Sequence, residues 1–218
     1  MKNGIWSNIQ KFFPFIGLAT ILIVFSFLSG GRLWQLQNLQ SVLNTMIPIC
    51  LGGGGMIFVS AQGSTNMSMG STLALSGAIA GLVSNALGFW SFVPTALLVG
   101  LVVGIFNGVM VSKFKVSSLM VTLSMLIALR ALVTLLTSGQ PIFVDFAVLN
   151  FNNLPVKLPI FLGAMVILWY MFEHTKLGHF SRCMGENEMV GRFSGIPVDR
   201  YKIFAFALSG LLAGLVGV

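Results

Sequence analysis

The strongest constraint on this chain is a succession of apolar runs, each close to the length of a bilayer crossing. Hydropathy places about seven, at residues 12–29, 40–60, 68–87, 91–111, 117–137, 156–173 and 203–218. A helix needs about 20 apolar residues to cross the hydrocarbon core. Only helices and closed barrels satisfy every backbone polar group in lipid. The predicted class is therefore an all-α integral membrane protein, a polytopic helix bundle filling residues 1–218 as a single transmembrane domain. Composition agrees: 56% of residues are hydrophobic and 8% charged, with mean hydropathy +0.94, against about 25% charged residues in soluble domains. The first run exceeds the apolar core of a secretory leader and lacks a small-x-small cleavage site, so it reads as a retained anchor.

Net charge is +7, which in a soluble protein would suggest nucleic acid. Here the basic residues lie in loops between apolar runs, so they report topology and no nucleic-acid partner is expected. With the N-terminus inside, Lys2, Lys11, Lys113, Lys115, Lys176, Arg182, Arg192, Arg200 and Lys202 are cytoplasmic, and Arg32 and Lys157 are outside. Arg130 falls within a run, about 20 Å along its helix at 1.5 Å per residue, within snorkelling range of the outer face. The positive-inside rule supports this orientation. It puts residues 174–202 in the cytoplasm of a multi-pass inner or plasma membrane protein.

Within that loop, residues 185–195 carry a helix with its own punctuation. Asn187 suits an N-cap, Gly195 the position just past a helix end, and Pro197 a stop. Met189, Val190 and Phe193 share one side, and Glu188 and Arg192 are spaced to pair. A helix of about two turns is not stable alone in water. It needs something to dock against, which points to a cytoplasmic partner.

Glycines recur four apart at Gly77 and Gly81, at Gly100, Gly104 and Gly108, and at Gly210 and Gly214. Such rows let helices approach closely in lipid. The run Gly52–Gly55 predicts either an interrupted helix or one pressed tightly on a neighbour, since each glycine costs about 1 kcal/mol against alanine. Non-helical backbone at membrane depth survives only beside protein or a water-filled cavity, making residues 52–71 a candidate pathway lining. Gln62, Asn66, Ser68 and Asn107 supply neutral hydrogen-bonding groups there and nearby, with Arg130 at a pathway mouth. Their competing role is interhelical bonding, worth about 0.6 kcal/mol on average. For Asn107, beside a glycine row, interhelical bonding is the stronger reading.

Much chemistry is missing. No Gly-x-x-x-x-Gly-Lys-Ser/Thr run occurs, so the chain shows no P-loop, and no nucleophile–histidine constellation is apparent. Cys50 and Cys183 are far apart, and His174 and His179 are five apart with no carboxylate or thiolate cluster nearby, so no metal site is expected; no cofactor is expected. The carboxylates are Asp145, Glu173, Glu186, Glu188 and Asp199, none mid-span. Ion-coupled carriers usually keep ionisable groups at membrane depth. The last run stops at Val218 without a flanking polar residue, which reads as a truncation within a helix.

Three motifs together resemble the permease subunits of ABC importers, in the ribose/xylose-type simple-sugar branch related to branched-chain amino-acid permeases. Gln62–Ser71 (QGSTNMSMGS) is similar to the family's Gly-Gly-Ile-Asp-Leu-Ser-Val-Gly-Ser. Gly100–Gly108 (GLVVGIFNG) leads through Val121–Leu123 and Arg130 to Ser138–Ile142. The third runs from Thr175–Gly178 through Gly185–Glu188 and Arg192–Ile196 to Leu208–Gly214. The resemblance covers residues 40–218. Departures are Asn66 where the family usually has Asp, Ser117 where Pro is common, and Val190–Gly191 for an Ala-Ala pair.

The resemblance implies the first part of a ten-span permease of the vitamin-B12-importer type, with no enzymatic activity of its own. Residues Gly185, Asn187, Glu188, Met189, Val190, Arg192, Phe193, Ser194 and Gly195 would form its coupling helix. An ABC ATP-binding subunit would dock there, an extracytoplasmic solute-binding protein would deliver a sugar-like solute, and a second permease copy, identical or not, would complete the pathway in the bilayer. Two other classes share this composition. An ion-coupled secondary carrier or channel would need an ion gradient and no ATPase. A truncated remnant would not transport.

Overall fold

A computed structural model describes residues 3–144 and 153–217. Asp145 lies outside them. Among the described residues the fold is all-helical. Nine α-helices follow in order: α1 (Asn3–Leu28), α2 (Leu36–Ser60), α3 (Met69–Leu87), α4 (Phe92–Ser112), α5 (Ser118–Thr137), α6 (Leu154–His174), α7 (Lys176–Glu186), α8 (Glu188–Phe193) and α9 (Val198–Val216). Two short 3-10 turns, Arg32–Trp34 and Phe89–Ser91, start after glycines with positive φ, Gly31 and Gly88.

Five helices combine the length and apolarity of a membrane crossing: Leu36–Ser60, Met69–Leu87, Phe89–Ser112, Ser118–Thr137 and Leu154–His174. They coincide with five of the seven expected runs, and the other two differ. In α1 the apolar stretch Phe15–Leu28 is shorter. Helix α9 starts before the expected 203, taking Asp199, Arg200 and Lys202 into its first turns. Pro197 stands just ahead of it, where the first turn needs no N–H donor from that residue. The polar segment and the last apolar run are thus one helix, which gives α9 a charged end and an apolar shaft.

The chain forms two compact units, Met1–Met46 and Ile47–Val218. In the first, most described side chains of α1 are exposed and apolar, as a lipid-facing helix requires. Trp34 Nε1 donates to Ser26 Oγ at 2.9 Å, tying the turn after α1 back onto it.

The second unit is organised by a backbone-to-backbone crossing of α4 and α9. A Cβ on Gly100 would overlap the Gly210 carbonyl, and one on Gly104 the Phe206 carbonyl. At Gly108 it would lie 2.8 Å from Ile203 Cα. From the other side, Gly214 meets the Ala96 carbonyl. Two of the three glycine rows expected from spacing, on α4 and α9, therefore face each other. In lipid, where apolar burial gives no drive between helices, this approach supplies van der Waals contact along both backbones. Around it pack Phe58, Val59, Val111, Val121, Leu168 and Phe206, all buried.

Gly52–Gly55 stay helical within α2. Of the two expected outcomes the close-packed one holds. A Cβ on Gly54 would stand 2.9 Å from Leu168 Cδ1, and one on Gly55 3.1 Å from Ser209 Cα. Contact with α6 and α9 offsets the poor helix propensity of the run.

Candidate functional site

Helix α8 is closed at both ends by its own sequence. Asn187 Oδ1 accepts from the backbone N–H of Met189 at 3.0 Å and of Val190 at 3.3 Å. At the other end Gly195 adopts φ +79°. The Gly195 N–H donates to the Arg192 carbonyl and the Ile196 N–H to the Gly191 carbonyl, the paired bonds of a Schellman cap. Ser194 Oγ donates to the Val190 carbonyl at 2.9 Å.

The capped helix turns Gly191 inward and its apolar side chains outward. Gly191 is buried near Met184, Ile196 and Val198. Met189, Val190 and Phe193 are 67%, 58% and 85% exposed, so the face expected to dock is left uncovered by the described residues. Gly185 belongs to the end of α7, where a Cβ would overlap the Ala61 carbonyl. The segment before α8 is thereby packed on the loop that follows α2.

An ion network fastens α8 to α9. Arg192 Nη2 lies 3.0 Å from Glu188 Oε1 and 2.6 Å from Asp199 Oδ1. Lys202 Nζ lies 2.5 Å from Glu188 Oε2. Burial pushes the Glu188 carboxyl up, but the hydrogen bonds and charges of Lys202 and Arg192 outweigh it and hold the group below its usual value. Asp199, then Glu188, raise the Arg192 guanidinium above its usual value. Only the Glu188–Arg192 pair was predictable from spacing. Asp199 and Lys202 are seven and fourteen residues from their partners, with no helical period to announce them.

Deeper in the unit, four neutral side chains form a buried chain of hydrogen bonds. Asn66 Nδ2 donates to Ser209 Oγ at 3.0 Å, and Asn66 Oδ1 accepts from Ser68 Oγ at 2.8 Å. Asn107 Nδ2 donates to Ser68 Oγ at 2.9 Å. The chain joins α9, the loop between α2 and α3, and α4. Ser209, flanked by the apolar Leu208 and Gly210, was missed because serine in an apolar run has no distinctive signal. Gln62 takes a separate place: its Nε2 donates to Ser181 Oγ at 2.9 Å and to the Tyr201 carbonyl at 3.2 Å. Two acceptors, Gln62 Oε1 and Asn107 Oδ1, are buried with no partner among the described residues. Arg130 is not brought to this cluster; it is exposed on α5.

A model of one family, described as the branched-chain amino acid transport system permease component, matches residues 38–218. The chain belongs to this family. Its similar relatives include ribose import permease proteins. That of Escherichia coli strain K12 is 33% identical over 231 residues, covering 98% of this chain and 69% of the relative. That of Haemophilus influenzae is 31% identical, covering 94% and 66%, and that of Bacillus subtilis 32%, covering 95% and 67%. The chain thus spans about two thirds of the length of these relatives. No solved structure matches it. Family membership and the five apolar helices make it a multi-pass membrane protein of permease type.

Proposed function

We propose that the chain is the membrane-spanning permease subunit of an ATP-driven importer that moves a sugar-like solute into the cytoplasm. Residues 1–218 form one transmembrane permease domain, and residues 174–202 its cytoplasmic coupling loop, with the N-terminus on the same side. One observation carries the reading: α8 is capped, clasped to α9, and exposes Met189, Val190 and Phe193, which no described residue covers. A separate ABC ATP-binding subunit docks on that face. An extracytoplasmic binding protein supplies the solute, and a second permease copy completes the pathway. The sugar class is supported by the ribose import permeases among the similar proteins.

Motion passes from the docked subunit through α8 to α9 by the ion network, and from α9 to α4 by the glycine crossing. Rigid-body displacement of packed helices is the transmission such contacts allow. On the pathway side, Gln62, Asn66, Ser68 and Asn107 provide hydrogen-bonding capacity without charge. The unpartnered acceptors on Gln62 and Asn107, buried in this structure, suit a hydroxyl-rich solute, and we assign Arg130 to a pathway mouth.

The test is co-purification of the chain with ATP-binding subunits from the same genome, for the native sequence and for Arg192→Glu and Phe193→Asp. Both substitutions are expected to release the ATPase while leaving membrane insertion intact. Retention of the ATPase by both variants would overturn the docking assignment.

A further inference from the structure

A polar cavity of about 340 Å³ opens beside α8, between the turn joining α4 to α5 and the start of α9. The geometry points to an oxyanion site here, one that takes a phosphate-class group from a lipid headgroup or from a free phosphate compound.

Four residues that carry donor groups line the cavity. Ser112, 2% exposed, lines it, and its buried Oγ has no hydrogen-bond partner among the described residues. Ser117 also lines it as the N-cap of α5 and makes no capping hydrogen bond. The first N–H groups of that 20-residue helix are therefore uncapped by it, at the positive end of the helix dipole. Ser118 accepts from the Thr65 N–H at 3.1 Å, which leaves its own proton free to donate. Lys115 lines the cavity with no ion-pair partner among the described residues.

The charge balance favours an anion. Glu188 is the acidic group in the lining, and it is bound by both Lys202 and Arg192. Among the described residues, Lys115 is left without an ion-pair partner. Its backbone has φ +54°, a left-handed conformation uncommon for lysine. Such local strain is often held where a side chain must be aimed. Helix N-termini with nearby cations are established anion acceptors, and the buried, unpartnered Ser112 hydroxyl adds a donor specific to this one.

A ligand in this cavity would touch both the α4–α5 turn and the α8–α9 clasp, so its occupancy would bear on coupling. That consequence, and the cytoplasmic side of the cavity, rest on the proposed function; the binding itself does not.

The test uses the full chain in phosphatidylcholine nanodiscs, titrated calorimetrically with inorganic phosphate. In parallel, native mass spectrometry reads retention of phosphatidic acid against phosphatidylcholine. One of these anions is expected to bind saturably. Lys115→Asn, which accommodates the left-handed backbone, should weaken binding about fivefold, the scale of one charge-assisted hydrogen bond at a partly solvated site. Ser112→Ala should weaken it too, Lys115→Arg should retain it, and Lys113→Gln, outside the lining, should leave it unchanged. Binding of phosphate assigns a soluble ligand, and retention of phosphatidic acid alone assigns a lipid. Absence of both, or binding indifferent to Lys115→Asn and Ser112→Ala, overturns the site. If neither anion binds and Lys115→Asn instead releases a docked ATPase, the cavity takes an acidic protein side chain and the oxyanion assignment fails. No ATPase is present in the binding measurement, so its failure is distinct from failure of the proposed function.

Discussion

Lys202 Nζ lies 2.5 Å from Glu188 Oε2, joining the first residue of α8 to the first turns of α9 across fourteen positions of chain. Lys202 is only 9% exposed, so this contact is the buried side of a network whose other members face water. It ties a short exposed helix to a long packed one.

Breaking that contact should separate coupling from stability. Lys202→Met keeps the apolar stem and removes the charge. The expected loss in thermal stability is small, about 1 kcal/mol or less for a pair whose acidic partner is well exposed. Stimulation of ATP hydrolysis by solute, measured in reconstituted vesicles, should fall much further. Equal losses in both would place Lys202 in packing alone.

The same network sets a pH dependence. Glu188 is held below its ordinary value of 4.5. A depressed carboxyl contributes stability that is fully present above the unfolded value and lost as pH falls through the folded one. Clasp-dependent protection of α8 from proteolysis should be flat from pH 7 to about 5 and decline below about 4.5. A decline centred near pH 6 would show that the network does not control α8.

Gly191→Ala should stabilise α8. An added Cβ meets Met184 Cγ at 3.6 Å and nothing closer, an ordinary contact. Helix propensity then favours alanine by about 1 kcal/mol. Slower amide exchange at Val190–Phe193 is the expected readout, and faster exchange would contradict the packing described for this face.

The α4–α9 crossing should be intolerant where Gly53 of α2 is not. Gly104→Val places side-chain atoms onto the Phe206 carbonyl. It is expected to cost at least the ~1–3 kcal/mol of core overpacking. Gly53→Ala, with nothing within 4 Å, should be neutral or mildly stabilising. Monodispersity and melting temperature in detergent give the comparison.

In the buried polar chain, Asn66→Ala and Ser209→Ala should each be destabilising and should not add. Membrane interhelical hydrogen bonds couple by about 0.6 kcal/mol on average, so a double-mutant cycle near that value is expected. Zero coupling would indicate that the two side chains find other partners.

Features readable in sequence were local or periodic. The Asn187 cap, the Glu188–Arg192 pair and the Gly195 terminus depend on residues within one or two turns. The rows Gly100–Gly104–Gly108 and Gly210–Gly214 repeat every four residues, so each reveals a smooth helix face. Charges at Asp199, Arg200 and Lys202 read as loop, although helical geometry carries them at the end of α9.

By itself the sequence determined an all-helical membrane chain, the faces of α4 and α9 able to touch, and the short capped helix at 188–193. Backbone hydrogen bonding in lipid and helix-end chemistry leave little choice on those points. Only the tertiary structure decided that the two glycine faces meet each other, that Gly52–Gly55 stay helical, and that Lys202 closes on Glu188. It also decided that Ser209 reaches Asn66, 143 positions away in the chain. Such pairings depend on which helix faces meet when the bundle packs, and residue spacing along one helix carries no information about its neighbour.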